Sequence, residues 1–353
     1  KGIFLGHRRL SIIDTTEQSS QPMQFENLLL SYNGEIYNFI ELRKQLINSG
    51  HVFNSSGDAE VLLKAWYKWK EESLDLFDGM YAFALYDGSR IHLVSDPFGE
   101  KPLYVLDSGS GVYFSSEAQV LIDLFGLDFE PENHEMSAFM SLGFIPEGGT
   151  GYKNLSSLRP ACHWRVKNGS IENKSRYWSL PETFKGKGKV QPLSESEIDL
   201  IQETLLDSLA VRMRSDVPVG VFLSGGVDSS LVASMISKDL DIKVNTLTVA
   251  YPDGVDESTE AAIIADHLGL PHIIVDSQDD GLWKNAPQVL KSLYGAPNEN
   301  MTALSAFQLS SLAKQHMTVA LTGTGGDELF YGYNKYNFLY KNRFAYRYLP
   351  VLV

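Results

Sequence analysis

Residues 219–230 read Val-Gly-Val-Phe-Leu-Ser-Gly-Gly-Val-Asp-Ser-Ser, an apolar β-type run that empties into a small-residue loop and then opens a helix. Gly225 and Gly226 let the backbone approach a ligand closely, and Ser224, Ser229 and Ser230 offer hydroxyls. The first helical turn points unpaired N–H groups and a positive dipole end outward, so the whole makes a phosphate site. Asp228 sets a carboxylate beside that anion, an arrangement explained by a Mg²⁺ ion between the two. The loop lacks both the lysine of G-x-x-x-x-G-K-[ST] and the third glycine of G-x-G-x-x-G. A magnesium nucleotide held by a different kind of loop is expected.

The string Ser-Gly-Gly-Val-Asp-Ser-Ser resembles the pyrophosphate loop of ATP pyrophosphatases, which cleave ATP between its α- and β-phosphates. Around it, strand and helix patterns alternate: a helix over 194–214, then 217–223, 229–239, 243–251, 258–268, 272–276, 302–314 and 317–321. Such alternation predicts an α/β doubly wound parallel sheet with ligands at the carboxyl ends of its strands. A second loop of the same type follows at 318–328, Thr-Val-Ala-Leu-Thr-Gly-Thr-Gly-Gly-Asp-Glu, and the two loops could clasp one ligand. Asp228 and Asp327 are then co-ligands for one Mg²⁺, although an acid at 327 also suits an ordinary helix start.

The first half reads differently. Short β-type runs at 2–10, 28–32, 82–86, 91–95, 103–106 and 112–114 are separated by turns, with helices at 36–49 and 58–70, which predicts an antiparallel α+β domain. We expect domains at 1–160 and 194–353 with a linker over 161–193, whose Gly/Lys-rich part spans 185–189. The excess of 44 acidic over 30 basic side chains, a net charge of −14, argues against nucleic acid or an anionic membrane as partner. A single cysteine, Cys162, rules out an internal disulfide and suits a reducing cytoplasm. The chain starts without methionine and stops on Leu349-Pro350-Val351-Leu352-Val353, so both ends are expected to be cut.

Four further stretches carry a resemblance: Gly6-His7-Arg8-Arg9-Leu10-Ser11-Ile12, Asn33-Gly34-Glu35-Ile36-Tyr37-Asn38, Ser56-Gly57-Asp58-Ala59-Glu60, and residues 96–104, Asp-Pro-Phe-Gly-Glu-Lys-Pro-Leu-Tyr. With the two loops above, they resemble the glutamine-hydrolysing asparagine synthetases over nearly the whole chain. The resemblance implies a class II glutamine amidotransferase domain, an Ntn-hydrolase-like α+β sandwich, followed by an ATP-pyrophosphatase-like synthetase domain. In that family an amino-terminal cysteine releases ammonia from glutamine, and the ammonia travels through a tunnel to aspartate activated as β-aspartyl-AMP. Carried over, Arg9 would pair with the glutamine α-carboxylate beside Ile12, Glu35 and Asp58 would hold the α-ammonium, and Asn33 with the Gly34 N–H would form the oxyanion hole. Read by itself, Asn33-Gly34 is also a good hairpin turn. Ser224, Gly225, Gly226, Asp228 and Ser229 would hold pyrophosphate, with Phe222, Val249, Thr322 and Gly323 near ATP. The partners implied are L-glutamine, L-aspartate and ATP, with a homodimer allowed.

Several positions depart from the family. The nucleophilic cysteine belongs about 45 residues before the Arg9 motif, and Cys162, beyond the glutaminase motifs, reads as a buried small hydrophobe. Thr324 stands where the family has an acid, Gly295-Ala296-Pro297 lacks the acid of many relatives, and the chain ends before the family's lysine that stabilises the acyl-adenylate. Two other readings follow: the same chemistry on another carboxylate, such as a polysaccharide sugar acid, or a non-catalytic paralogue that binds glutamine or ATP. Trp66, Trp69 and Trp283 lie at core-type helix spacings, the eight histidines show no H-x-x-x-H pattern, and Tyr331, Tyr333, Tyr336 and Tyr340 are expected to pack.

Overall fold

The structure is a computed structural model that describes residues 2–146, 148–181, 192–250, 256–276, 286, 287, 289 and 302–343. The 185–189 stretch, Trp283, residues 295–297 and the final five residues lie outside that set. The chain forms two compact units, one built chiefly from residues up to Ser194 and one from Glu195 onward.

The first unit contains a six-stranded antiparallel sheet of β1 (Met23–Phe25), β2 (Leu28–Ile36), β3 (Gly79–Tyr86), β4 (Ile91–Ser95), β8 (Cys162–Lys167) and β9 (Ser170–Arg176), in that spatial order. A three-stranded sheet sets β5 (Tyr104–Asp107) between β6 (Val112–Ser115) and β7 (Leu155–Ser157). Strand β3 shows how the layers assemble. Tyr81, Phe83 and Leu85 alternate onto one face, where they pack with Leu42, Leu46, Leu62 and Trp66 of the helices Phe39–Asn48 and Asp58–Trp69. Ala82 and Ala84 fall on the other face against Leu103 and Val105, where small residues let the second sheet approach. The helix Ala118–Phe125 covers the far side of that second sheet through Leu121 and Ile122. The antiparallel α+β domain expected from the strand pattern, and the sandwich that the resemblance implies, are therefore present as helix–sheet–sheet–helix.

Two expectations change here. Residues 2–10 form no strand, because β-type composition alone supplies no hydrogen-bonding partner. Residues 162–176, assigned to the linker, form β8 and β9, which pair with each other and with β4. The alternately exposed pattern of β9 is that of an edge strand, and its polar composition disguised it. Asn33 and Gly34, whose sequence would also have suited a hairpin turn, lie mid-strand, opposite Ala82 and Tyr81 of β3.

The second unit has a four-stranded parallel sheet ordered β12 (His272–Asp276), β11 (Asn245–Ala250), β10 (Val219–Phe222), β13 (Val319–Leu321). Val221, Leu223 and Leu321 pack on one side with Ala233, Ile236, Ala261 and Ala265; Phe222, Leu247, Val249 and Ala320 pack on the other with Leu309, Leu312 and Ala313. Both faces are covered, as a parallel sheet requires. Taken in chain order, β10 to β12 run outward to one edge and β13 returns on the opposite side of β10, so the order reverses between β10 and β13. That is the switch point at which doubly wound sheets bind ligands. No helix among the described residues is long and apolar enough to cross a membrane.

Candidate active sites

In the first unit, Arg9, Ile12, Asn33, Gly34, Glu35 and Asp58 all line one cavity of about 650 Å³. Strand β2 carries three of them on consecutive residues. Its glycine has a steric origin: Gly34 has φ 152°, and a Cβ there would stand 2.2 Å from the Met80 carbonyl oxygen and 2.6 Å from the Tyr81 Cα. Gly34→Ala must open the β2–β3 ladder, so we expect a loss of about 3 kcal/mol or more in urea-induced unfolding, together with loss of glutamine use.

Asp58 begins the helix Asp58–Trp69 and accepts hydrogen bonds from the Tyr32 hydroxyl (2.7 Å) and the Ile36 N–H (3.0 Å). Burial pushes its carboxyl up, and these donors oppose the shift. Glu35 is only 6 % exposed and its Oε1 has no hydrogen-bond partner. Burial first, then the Asp58 charge, pushes its carboxyl up to about 7, with Lys101 acting in the opposite direction. A pocket with two buried carboxylates, one of them with an unpaired oxygen, is built to receive a cation.

A supporting network was not singled out by sequence. Asp14 accepts from Thr16, from the Ser19 hydroxyl (2.8 Å) and from the Ser56 N–H (2.7 Å), which ties the segment after Arg9 to the segment before Asp58. One Arg9 nitrogen donates to the Ile13 and Asp14 carbonyls at 2.6 and 2.7 Å, orienting the guanidinium. Asp96, fully buried, accepts from the backbone N–H groups of Tyr81, Phe98, Glu100 and Lys101 and so shapes the turn that brings Lys101 to the cavity. An Asp-Pro-x-Gly turn was the available signal for Asp96. Asp14 had none, since its partners are distant in sequence. Cys162 is buried in β8, and burial pushes its thiol up.

In the second unit the loop after β10 closes on itself. The Ser229 hydroxyl accepts from the Ser224 N–H (3.0 Å) and lies 2.8 Å from the Ser224 hydroxyl, which in turn accepts from the Gly226 N–H (3.1 Å). Gly226 caps the helix Val227–Ser234, whose first turn holds Asp228. Gly225 must be small, because a Cβ there would meet the Glu260 Cβ at 2.8 Å. The loop after β13 comes to the same place: a Cβ on Gly323 would lie 2.7 Å from the Asp228 Cβ, and one on Gly326 2.6 Å from the Asp228 Cγ. Thr322 begins that loop and accepts from the Thr324 N–H (3.3 Å), and Asp327 stands in the short helix Gly326–Phe330 with its carboxylate against Gly332. Phe222 and Val249 share the apolar cluster beneath. A single carboxylate cradled by two glycine loops fits an oxygen-seeking divalent ion, which takes one or two carboxylates and keeps its remaining positions for water and phosphate. Of the tyrosines that follow, Tyr331 and Tyr333 pack on the Tyr336 ring, with centroids 5.2 and 5.8 Å away, although Tyr331 and Tyr340 are largely exposed.

Known proteins agree with this division. A family model described as a glutamine amidotransferase domain matches residues 1–178, and one described as asparagine synthase matches residues 200–352. The asparagine synthetase [glutamine-hydrolyzing] 1 of Bacillus subtilis is 35 % identical over 95 % of this chain and 52 % of its own length. Asparagine synthetase [glutamine-hydrolyzing] 2 of Oryza sativa subsp. japonica is 30 % identical over 94 % of this chain and 52 % of its own, and asparagine synthetase [glutamine-hydrolyzing] 3 of B. subtilis is 28 % identical over 94 % and 56 %. The chain thus spans about half the length of these curated relatives. Both family matches and these identities place it together with them: the chain belongs to the glutamine-hydrolysing asparagine synthetase family.

Proposed function

We propose that this chain carries the glutamine-binding and ATP-binding parts of an ATP-dependent amide ligase that forms L-asparagine from L-aspartate, with ammonia drawn from glutamine and with AMP and pyrophosphate released. The observation that carries the reading is the convergence of two glycine loops on Asp228 at the switch point of a parallel sheet. Ser224, Gly225, Gly226 and Ser229 would bind the pyrophosphate portion of ATP, and Thr322 and Gly323 would close over the nucleotide. Asp228 and Asp327 would hold Mg²⁺, which when bound offsets charge on the departing pyrophosphate. In the other unit, Arg9 would fix the glutamine α-carboxylate and Glu35 with Asp58 its α-ammonium, while Asn33 and the Gly34 N–H receive the oxyanion. The reading places the enzyme in the cytoplasm.

Thr324 favours a second reading, the same chemistry on a different carboxylate, because it presents a hydroxyl where the family loop carries an acid. Pyrophosphate release by the full-length protein with ATP, Mg²⁺ and ammonium, measured across a panel of carboxylates, decides between them. Aspartate-dependent release accompanied by asparagine is expected. Release with a sugar acid but not with aspartate would favour the second reading, and none with any carboxylate would exclude both.

A further inference from the structure

The register of β4 against β8, His92 opposite Arg165 and Val94 opposite His163, makes His92 and His163 diagonal neighbours on the helix-facing side of the sheet. Both are buried, at 5 % and 2 % exposure, with their rings stacked at 26° and the Trp66 ring against each. His92 Nδ1 lies 2.9 Å from His163 Nε2. On its other side His92 Nε2 is 3.0 Å from the Asp87 carboxylate, which also accepts the Ser89 and Arg90 N–H groups. The Glu71 carboxylate approaches from the turn Lys70–Asp75, and one ligand atom from each of Glu71, His92 and His163 lies within 4.8 Å of the other two.

We infer that Glu71, His92 and His163 form a site for a divalent transition metal of the Zn²⁺ type, separate from both candidate active sites. Asp87 has the role that carboxylates have behind metal-binding imidazoles: accepting Nε2–H fixes the His92 tautomer, so that the Nδ1 lone pair faces His163. The proton between the two rings is then the Nε2–H of His163; when the metal takes that place the proton moves to His163 Nδ1, which faces the Glu71 carboxylate at 3.9 Å, so both imidazoles bind in their neutral form and no proton is lost. Tetrahedral metal–nitrogen bonds of ~2.0–2.1 Å separate two ligand nitrogens by about 3.3 Å, so the pair opens by only about 0.4 Å. A neighbouring cavity of about 240 Å³, lined by Glu71 and His92, gives entry and room for a solvent ligand.

That cavity is also lined by Lys70, Arg90 and Arg165, which selects the metal. Arg90 is paired with Glu172 (2.6 Å) and Arg165 with Glu71 (3.4 Å), yet the rim stays unfavourable to ions held by charge alone. Mg²⁺ and Ca²⁺, which want oxygen ligands, are therefore excluded in favour of ions with intrinsic affinity for imidazole.

The test uses the full chain stripped with a chelator and titrated with Co²⁺, followed by visible absorption, and with Zn²⁺, followed by calorimetry in two buffers of different ionisation enthalpy. One-to-one binding is expected, with the same heat in both buffers because no net proton is released, the intense absorption of a four-coordinate Co²⁺ site, and a higher Tm with Zn²⁺. Glu71 is half exposed, so Glu71→Gln keeps the fold and should weaken binding about tenfold or more. Arg165→Ala, which frees Glu71 from its partner, should tighten it, and His163→Ala should abolish it. Absence of saturable binding to the unaltered chain, or unchanged affinity in Glu71→Gln, would overturn the assignment.

Discussion

Asp228→Asn should lower ATP-dependent pyrophosphate release roughly 10³-fold or more, with either ammonia source, while glutamine binding and thermal stability stay near those of the parent protein. The basis is the position of this one carboxylate. It sits in the first turn of the helix after β10 and touches the backbone of the loop after β13 at Gly323 and Gly326. An amide of the same shape keeps those contacts but supplies a neutral dipole where a cation beside phosphates needs an anion. Gly323→Ala should reach the same end by a different route, since its Cβ would displace Asp228 without altering any charge. Pyrophosphate assays with ammonium, run beside melting curves, separate these outcomes. Turnover retained in Asp228→Asn would remove the carboxylate from the reaction.

Glu35→Gln is expected to move activity and stability in opposite directions. Its folded-state carboxyl stands at about 7 against an ordinary value of 4.5, so between these pH values the folded protein binds more protons than the unfolded chain. Stability therefore falls as pH rises from about 4.5 to 7 and stays reduced above that. Glutamine at position 35 removes the loss. Relative to the parent, Glu35→Gln should gain nothing below pH ~4.5 and up to ~3 kcal/mol above pH ~7 in urea titrations. It also withdraws the anion that would meet the α-ammonium, so glutamine-dependent turnover should drop about 10²-fold while ammonium-dependent turnover is unchanged. In the parent protein, glutamine affinity should weaken as pH falls below about 7, because protonated Glu35 no longer attracts a cation. Equal losses with both ammonia sources would mean that Glu35 serves the fold and not the glutamine site.

Local signals were readable where a segment's partners are close in sequence or are imposed by periodicity. The helix Ser258–Leu268 and the strand His272–Asp276 fall on the residues expected from their patterns, and the helix–strand alternation that carries them implies a parallel sheet. The order of that sheet was not legible. Pairing of β10 with β13 joins residues about a hundred positions apart, and only this pairing sets the two glycine loops side by side. Non-local pairing also decides between local readings and explains what they missed. Asn33-Gly34 has turn chemistry, but eight consecutive partners on β3 override it. Residues 2–10 have strand composition and no partner strand among the described residues. The histidines look scattered by spacing, since i, i+4 counting finds helical metal sites and misses a diagonal pair across two strands. Glu35 and Asp58 were found through motif resemblance; what burial does to their charge required the surrounding sandwich.

The most direct test of the ligase chemistry follows the oxygen atoms of the acceptor. The full-length protein would be given ATP, Mg²⁺, ammonium and aspartate labelled with ¹⁸O in its side-chain carboxylate, and the AMP would be weighed by mass spectrometry. Attack of that carboxylate on the α-phosphorus expels pyrophosphate, and displacement by ammonia leaves one carboxylate oxygen on AMP. One ¹⁸O in AMP for each asparagine formed is the predicted result. Unlabelled AMP, or ADP in place of AMP, would contradict it.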